Sequence, residues 1–491
     1  MTLALWAISL PGCTSWSQYV HNGFKVGPNY GRPPAPVAES WIDAADKRVR
    51  SEAADDSQWW TTFNDPILTD LIQSAHRQNL TLREAGFRVL EARAQLGIAV
   101  GQAFPQLQTN TGDGAAKAIS LNEANRLATA QRWFNQWDYG FSLTWELDFW
   151  GRFRRAIEAS EATLDASVEQ YDDVLVTLLG DVAANYVQYR TAEQRIAYAE
   201  ENVSLQRKIL ELATARFKGG QASELDVNQA QSDLSYTESL IPRLRIQLRD
   251  ANNRLCVLLG TPPENLQRRL GSGPIPQAPS DVAVGIPAQL LRRRPDVRRA
   301  ERQAAAQCAQ IGVAEADFYP QVLIDGTLGW GAADFGSLFG GKSFQCSVGP
   351  GFRWHILNYG RILNNVRGQD ARFQELVTAY QQTMLKANEE VENGLARFLE
   401  SQAEVQSLTT SVDAAKKSVG EAMAQYQGGM TDFNRVAVVQ EKLVQRQEEY
   451  AQAQGAIALG LIDVYRALGG GWQIRIAAPR VERAPLPAAE E

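Results

Sequence analysis

The sequence predicts a mixed α+β membrane protein built from two structural repeats. Each chain supplies four strands to a trimeric, twelve-stranded β-barrel, which a long α-helical barrel continues. Three observations predict it. The chain restates itself at an offset of 209 residues, each copy opens on alternating β segments, and each closes on two long helices separated by a glycine pair. Trp145 recurs as Trp354, Gly151-Arg152 as Gly360-Arg361, Gly219-Gly220 as Gly428-Gly429 and Leu259-Gly260 as Leu468-Gly469. The match holds without a gap from about residue 145 to 260. That is too long for a solenoid unit and marks a duplicated half-protein.

Residues 3–10 are apolar apart from Ser9, and Leu10-Pro11-Gly12-Cys13 looks like a bacterial lipobox, where a signal peptidase cuts and the new terminal cysteine is acylated. Residues 1–12 therefore read as a signal peptide and 13–65 as a lipid-anchored N-terminal segment. Residues 1–12 hold no Lys or Arg, so the basic start of a signal peptide is missing and a start further upstream is expected. Asp65-Pro66 is an N-cap followed by a first-turn proline, opening repeat 1 (66–260) with a helix to about Ala103. Repeat 2 (287–468) opens likewise with a helix from Pro287 to about Asp317.

A hairpin follows in each repeat, at about 104–148 and 319–358. From Trp137 to Phe149 every second residue is apolar: Trp137, Tyr139, Phe141, Leu143, Trp145, Leu147, Phe149. The second copy does the same through Phe344, Cys346, Val348, Pro350, Phe352, Trp354 and Ile356. Period two places these side chains on one face. Weaker partner strands open at Phe104-Pro105 and at Phe318-Tyr319-Pro320, the latter alternating through Val322, Ile324, Leu328 and Trp330.

Helices come next. Leu164, Val168, Tyr171, Leu175, Leu178, Val182, Tyr186 and Tyr189 step by four and three; Phe373, Val377, Tyr380, Met384, Ala387, Val391, Leu395 and Phe398 repeat the seam. Such spacing is built for helix-on-helix packing. From Gly151 to Lys218 there is no proline, so the rod would run roughly 100 Å at 1.5 Å per residue. Gly219-Gly220 ends it, and a helix returns over about Ser223–Leu259, with Pro242 expected to kink it. The remaining spans are a linker (261–286) and a C-terminal tail (469–491), disordered from Ile476.

Composition excludes several classes. A net charge of −7 argues against nucleic acid as a partner. The cluster Arg292-Arg293-Arg294, Arg298, Arg299 and Arg302 is interleaved with Asp296 and Glu301 and reads as a solvated helix start. No apolar run reaches about 18 residues, so no spanning helix is expected. Cys256, Cys308 and Cys346 read as small buried or half-buried hydrophobes, and His21, His76 and His355 stand apart, so no metal site or catalytic group forms. Gly336–Ser343 matches a phosphate-loop pattern, but a strand rather than a helix follows it. The reading is a protein without enzymatic activity or cofactor, apart from a covalent lipid on Cys13.

Four strands cannot close a barrel, and open edges are untenable in lipid. Strands of about 10–13 residues with aromatic ends suit an outer membrane. Closure by three chains is the simplest solution; a soluble sandwich on a coiled-coil stalk is the alternative. Here the chain resembles the outer membrane factors of the TolC-like class, most of all the lipoprotein branch known as the NodT family. The resemblance runs from Cys13 to Leu468. It rests on Val26-Gly27-Pro28-Asn29-Tyr30, on Trp59-Trp60 before Phe63, and on Leu143-Thr144-Trp145-Glu146-Leu147-Asp148-Phe149-Trp150-Gly151-Arg152. It rests also on Leu258-Leu259-Gly260, Leu290–Arg298 and Asp317-Phe318-Tyr319-Pro320.

The resemblance implies a homotrimeric, passive conduit in the outer membrane of a Gram-negative bacterium, exporting small molecules. Its partners would be a periplasmic adaptor and an inner-membrane pump of the proton-driven RND type. About 30–64, 261–286 and 469–475 would wrap the helices as an equatorial belt. A lipid-anchored coiled-coil scaffold without a pore, and a protein-secretion conduit, are the competing readings. The family's periplasmic helix ends close like an iris through polar links and acidic rings. That makes Asp226, Asp432, Arg435 and Glu441 candidate gate residues, and Gly219, Gly220, Gly428 and Gly429 candidate adaptor contacts. Where the family commonly has Val-Leu-Asp-Ala after the second turn, this chain has Val438-Val439-Gln440-Glu441.

Overall fold

Helix α1 (Trp16–His21) opens the described chain, closed by a capping box between Ser15 and Gln18. A computed structural model describes residues 14–477, apart from 51, 53–55, 123, 125–130 and 286–290. Cys13 and the rest of the signal region lie outside the described residues. In order follow β1 (Val49–Arg50), a tight 3₁₀ segment (Asp56–Phe63), α2 (Pro66–Gln78), α3 (Leu80–Gly101), β2 (Leu107–Ala118) and β3 (Trp133–Leu147). Next are α4 (Arg152–Lys218), α5 (Glu224–Leu258), α6 (Gln267–Leu270), β4 (Val282–Ala283) and α7 (Pro295–Ala316). Then come β5 (Gln321–Ala332), β6 (Phe344–Arg353), α8 (Arg361–Gln427), α9 (Phe433–Ala467) and α10 (Ile474–Ala477). Helices α4 and α8 are both 67 residues long, and α5 and α9 both 35, so the repeat extends to element length.

These elements form two units. One comprises Met1–Pro34, Arg88–Val168 and Arg299–Tyr380; the other comprises Ala35–Phe87, Glu169–Arg298 and Gln381–Glu491. The first holds a four-stranded antiparallel sheet in the order β2-β3-β5-β6. The two hairpins are thus joined by β3 and β5, which pair from Trp137↔Ala332 to Leu147↔Val322. Its N-terminal strap is held by Arg155, which is fully buried and donates to the carbonyls of Val26 (2.9 Å) and Gly27 (2.8 Å). Gly27 adopts φ +83°, and a Cβ there would stand 2.4 Å from the Gly312 backbone, so only glycine permits this approach to α7.

The second unit is a helical core wrapped by flanking segments. Leu68, Leu71 and Ile72 of α2, Leu175, Leu179 and Val182 of α4, Val391, Leu395 and Phe398 of α8, and Leu461 and Val464 of α9 are buried. Gly460 lets α9 press against α8, since a Cβ there would meet the Phe398 nitrogen at 2.8 Å. Trp59 and Trp60 are buried, and Trp59 stacks on Tyr465 at 5.5 Å. β1 and β4 pair in parallel, tying the segment after Ala35 to the linker after α5. Arg190, 1% exposed, donates to the carbonyls of Leu270 (2.6 Å) and Gly271 (2.7 Å), fixing the linker on α4.

Several expectations need correction. The helix anticipated from Pro66 to Ala103 is two helices. Asn79 leaves helical geometry, its side chain caps Leu82 N (2.8 Å) and it donates to the Leu258 carbonyl (2.8 Å). Helix α7 starts at Pro295, not Pro287; residues 286–290 lie outside the described residues. The arginine cluster is not simply solvated. Arg294 is buried, paired with Asp296 (2.8 Å) and Glu390 (2.7 Å), and donates to the Ala467 carbonyl. Arg298 pairs with Glu169 and lies 5.1 Å from the Trp472 ring centre. Burial of a charge is tolerated only with such partners, and Glu390, Ala467 and Glu169 come from helices far away in sequence. Cys256 and Cys308 are buried, but Cys346 is exposed. Helical structure persists through Ile476 to Ala477 in α10, held by Arg475 on the buried Asp172 (2.6 and 2.9 Å).

Candidate functional site

Directly paired residues of an antiparallel sheet point to the same side. The pairing therefore sorts every strand residue onto one of two faces. One carries Trp137, Tyr139, Phe141, Leu143, Trp145 and Leu147 of β3 with Val322, Ile324, Leu328 and Trp330 of β5. Phe344, Cys346, Val348, Pro350 and Phe352 of β6 continue it. On β2 the same face offers Gln108, Asn110, Gly112, Gly114, Ala116 and Ala118. No charged residue occurs on this face. Asp113, Lys117, Asp138, Glu146, Asp325 and Arg353 all fall on the other, along with Thr109, Ser142, Thr327 and Ser347. There Thr144 donates to Asp325 (2.8 Å).

The uncharged face is open: Phe141, Leu328, Val348 and Phe352 are exposed. Burying such a face against hydrocarbon is what stabilises a membrane strand, and a charge there is strongly unfavourable. Its glycines are sheltered, because the Trp137 ring lies across Gly114 and the Tyr139 ring across Gly112. Among the described residues, the edge strands β2 and β6 have no further partner. Among the described residues, no helix is long and apolar enough to cross a membrane.

The two helix turns lie in the second unit. Gly220 (φ +72°) and Gly429 (φ +73°) occupy the left-handed region that ends each descending helix. All four turn glycines, Gly219, Gly220, Gly428 and Gly429, are exposed. Ser223 caps α5, accepting from Asp226 N (3.3 Å) while its hydroxyl donates to the Asp226 carboxylate (2.8 Å). Asp432 caps α9, accepting from Arg435 N (3.2 Å). Asp226 and Arg435 are therefore equivalent residues of the two repeats, three past the cap, with opposite charge. Asp432, Arg435 and Glu441 are exposed and Asp226 is half-buried.

The turns are locked together by groups that sequence reading missed. Arg216, at the end of α4, donates to the carbonyls of Tyr426 and of Gln427 (3.2 Å), the last two of α8. Its guanidinium also sits 4.7 Å from the Tyr426 ring centre. Tyr426 meets Phe433 edge-on at 5.7 Å, within a buried cluster of Ile209, Ala213, Ala230, Ala422, Val436 and Ala437. Burial, and next the Asp226 charge, push the Tyr426 hydroxyl above its ordinary value. The only signal in sequence was a basic residue near a helix C-terminus.

Above the turns, Asn202 of α4 donates to Gln447 of α9 (2.6 Å), both buried, a polar pair suited to fixing helix register. A cavity of about 840 Å³ lies alongside, lined by Arg195, Gln206, Asp233, Tyr236, Gln440 and Glu441. Desolvation, and then the Glu441 charge, hold Asp233 above the usual aspartate range. A carboxyl whose folded pKa is raised opposes folding once it is ionised. Asp233→Asn should therefore raise the melting temperature at neutral pH. The gain should shrink as pH falls through the folded-state pKa, because wild-type Asp233 is then protonated. Melting curves at several pH values check this; an equal gain at all pH values would exclude the electrostatic cause.

A family model described as "Outer membrane efflux protein" matches residues 71–261 and 286–470. The chain is 30% identical to Nodulation protein T of Rhizobium leguminosarum bv. trifolii, covering 92% of this chain and 95% of that protein. It is 29% identical to the pyoverdine export outer membrane protein OpmQ of Pseudomonas putida, over 86% of this chain and 90% of the relative. Among solved structures, the outer-membrane channel OprN gives a TM-score of 0.86 at 31% identity, covering 91% of this chain and 99% of that one. CusC gives 0.79 at 27% identity, with 91% and 99% covered. With both repeats matched and the strand faces sorted as a lipid-embedded barrel requires, this chain belongs to the outer membrane efflux protein family.

Proposed function

We propose that this outer-membrane efflux channel is the passive exit duct of a tripartite assembly, catalysing no reaction and needing no cofactor. One observation carries the reading: a sheet with an uncharged outer face, a polar inner face and two edges that have no partner among the described residues. Such a sheet is stable in lipid only when its edges close, and three copies give a barrel of about twelve strands. The duct takes small molecules from an inner-membrane pump of the RND type through a periplasmic adaptor. The export role printed for the pyoverdine relative supports a small-molecule cargo. A lipid on Cys13 holds the N-terminal segment at the inner leaflet. The exposed turns at Gly219-Gly220 and Gly428-Gly429 meet the adaptor.

In a trimer, Asp226 and Arg435 recur alternately around the helix ends. Opposite charges in that order attract, where a ring of one sign repels itself. Asp432 and Glu441 flank this ring. The resting state is closed by Asp226–Arg435 contacts between neighbouring repeats, and opening separates them. Planar-bilayer conductance of the purified trimer tests this. Asp226→Asn and Arg435→Gln should each raise the resting conductance severalfold, and the charge exchange Asp226→Arg with Arg435→Asp should lower it again. Unchanged conductance in both single variants would remove these residues from the gate. No conductance in any variant would overturn the duct itself.

A further inference from the structure

We propose that the loop between β5 and β6, residues 333–343, is an aromatic anchor that inserts into the outer leaflet at the boundary of headgroups and acyl chains. The inference rests on the barrel reading above. The loop joins the strand ends remote from α7 and α8, so it lies at the outer mouth when the helices lie in the periplasm.

The loop folds down the outside of the sheet rather than over the lumen. Phe335 meets Trp137 edge-on at 5.2 Å, and Phe339 packs on Tyr139 at 5.7 Å and Trp330 at 6.0 Å. All three strand residues belong to the uncharged face. Leu338, between the two phenylalanines, is 4% exposed and pins the loop, while Phe335 and Phe339 remain 61% and 62% exposed. Two exposed rings continuous with a lipid-facing surface are matched by lipid, which accepts aromatic side chains at this depth.

Part of the loop backbone is satisfied within the loop. Amides of Ser337, Leu338, Gly340 and Ser343 donate to carbonyls of Asp334, Phe335, Ser337 and Gly340 within the loop. The Ser343 hydroxyl donates to the Ser337 carbonyl (2.8 Å). These bonds lower the loop's need for water, and the amides left over place it at the headgroup boundary rather than in hydrocarbon. The phosphate-loop-like run Gly336–Ser343 forms this turn between two strands, and within it a Cβ on Gly340 would stand 3.1 Å from the Ser337 carbonyl. Lys342 is exposed in the same loop, a cation suited to the phosphate layer.

The test uses the full-length trimer in phosphatidylcholine–phosphatidylglycerol vesicles. A polarity-sensitive fluorophore is placed on Phe339→Cys in a Cys346→Ser background, where Cys256 and Cys308 are buried. Native Cys346 serves as the lipid-facing control and Thr327→Cys as the lumen control. Headgroup-spin-labelled lipid should reduce emission at 339 by about twofold, as expected for an interfacial ring, while aqueous iodide has little effect. Lipid quenching at Cys346 with iodide quenching at 339 would overturn the anchor and leave the barrel standing. Absence of lipid quenching at both would overturn the barrel placement as well. In a second, unlabelled measurement, Phe335→Ser with Phe339→Ser should keep the trimer in detergent but lower the fraction recovered in vesicles. An unchanged fraction would overturn the anchor.

Discussion

Leu328→Arg is expected to abolish assembly in the outer membrane, whereas Thr327→Arg, one residue away, is tolerated. Leu328 stands mid-strand on the uncharged face, paired with Phe141 and Cys346; Thr327 stands on the other, paired with Ser142 and Ser347. An arginine facing lipid near the midplane costs about 2–4 kcal/mol in each chain, falling toward zero near the interfaces. A trimer incurs that cost three times over. An arginine in the water-filled lumen incurs almost none of it and changes conductance instead. Membrane fractionation and native gels of both variants make the measurement. Equal loss in both would mean that the two faces are not lipid and lumen, and the sidedness argument would fall with it.

The second large effect is expected at Arg155. Its guanidinium, fully buried, holds the carbonyls of Val26 and Gly27 and the Asn29 side chain (3.0 Å), with Glu158 as counter-ion (2.9 Å). Methionine would fill the volume of the stem but leave these acceptors without donors. Removing one partner from a buried charged network costs about 3–5 kcal/mol. The strap between residues 14 and 34 should detach from α4 and α7 and become open to protease, while the sheet retains its pairing. Lysine should not rescue it, because one ammonium cannot span acceptors that a planar fork holds together. A strap as resistant to protease as the wild type would refute this role.

Much of this architecture was legible because it follows from periodicity. Alternation placed Trp137 through Leu147 on one face, and the 4-3 seam placed Leu175, Val182, Val391 and Phe398 in the core. Both patterns are local consequences of backbone geometry. The seam also shows where periodicity stops being sufficient. Leu164, Val168 and Tyr171 share it but are only half-buried within one chain, as is natural for a surface completed by neighbouring copies. The turns were placed by their glycines, and Asp226 and Arg435 were candidates from the start. Their equivalence under the repeat became meaningful once both were seen three residues past a cap. Arg216 and Tyr426, which join the two turns, lie 210 residues apart, and nothing local marks them as partners.

What the sequence alone determined is the duplication, read directly from the match at an offset of 209 residues, and the element types and the sidedness of the strands, because these depend on neighbours one to four residues away. The tertiary structure decided what depends on distant segments. It broke the first helix at Asn79, because the Leu258 carbonyl offers that side chain a partner. It turned Arg294 and Arg298 from apparent surface charges into paired anchors, because Glu390 and Glu169 approach from α8 and α4. It laid Phe335 and Phe339 against the outer face of the sheet. In each case the free energy comes from pairing or covering groups that the chain brings together only on folding, and no pattern along the sequence encodes that proximity.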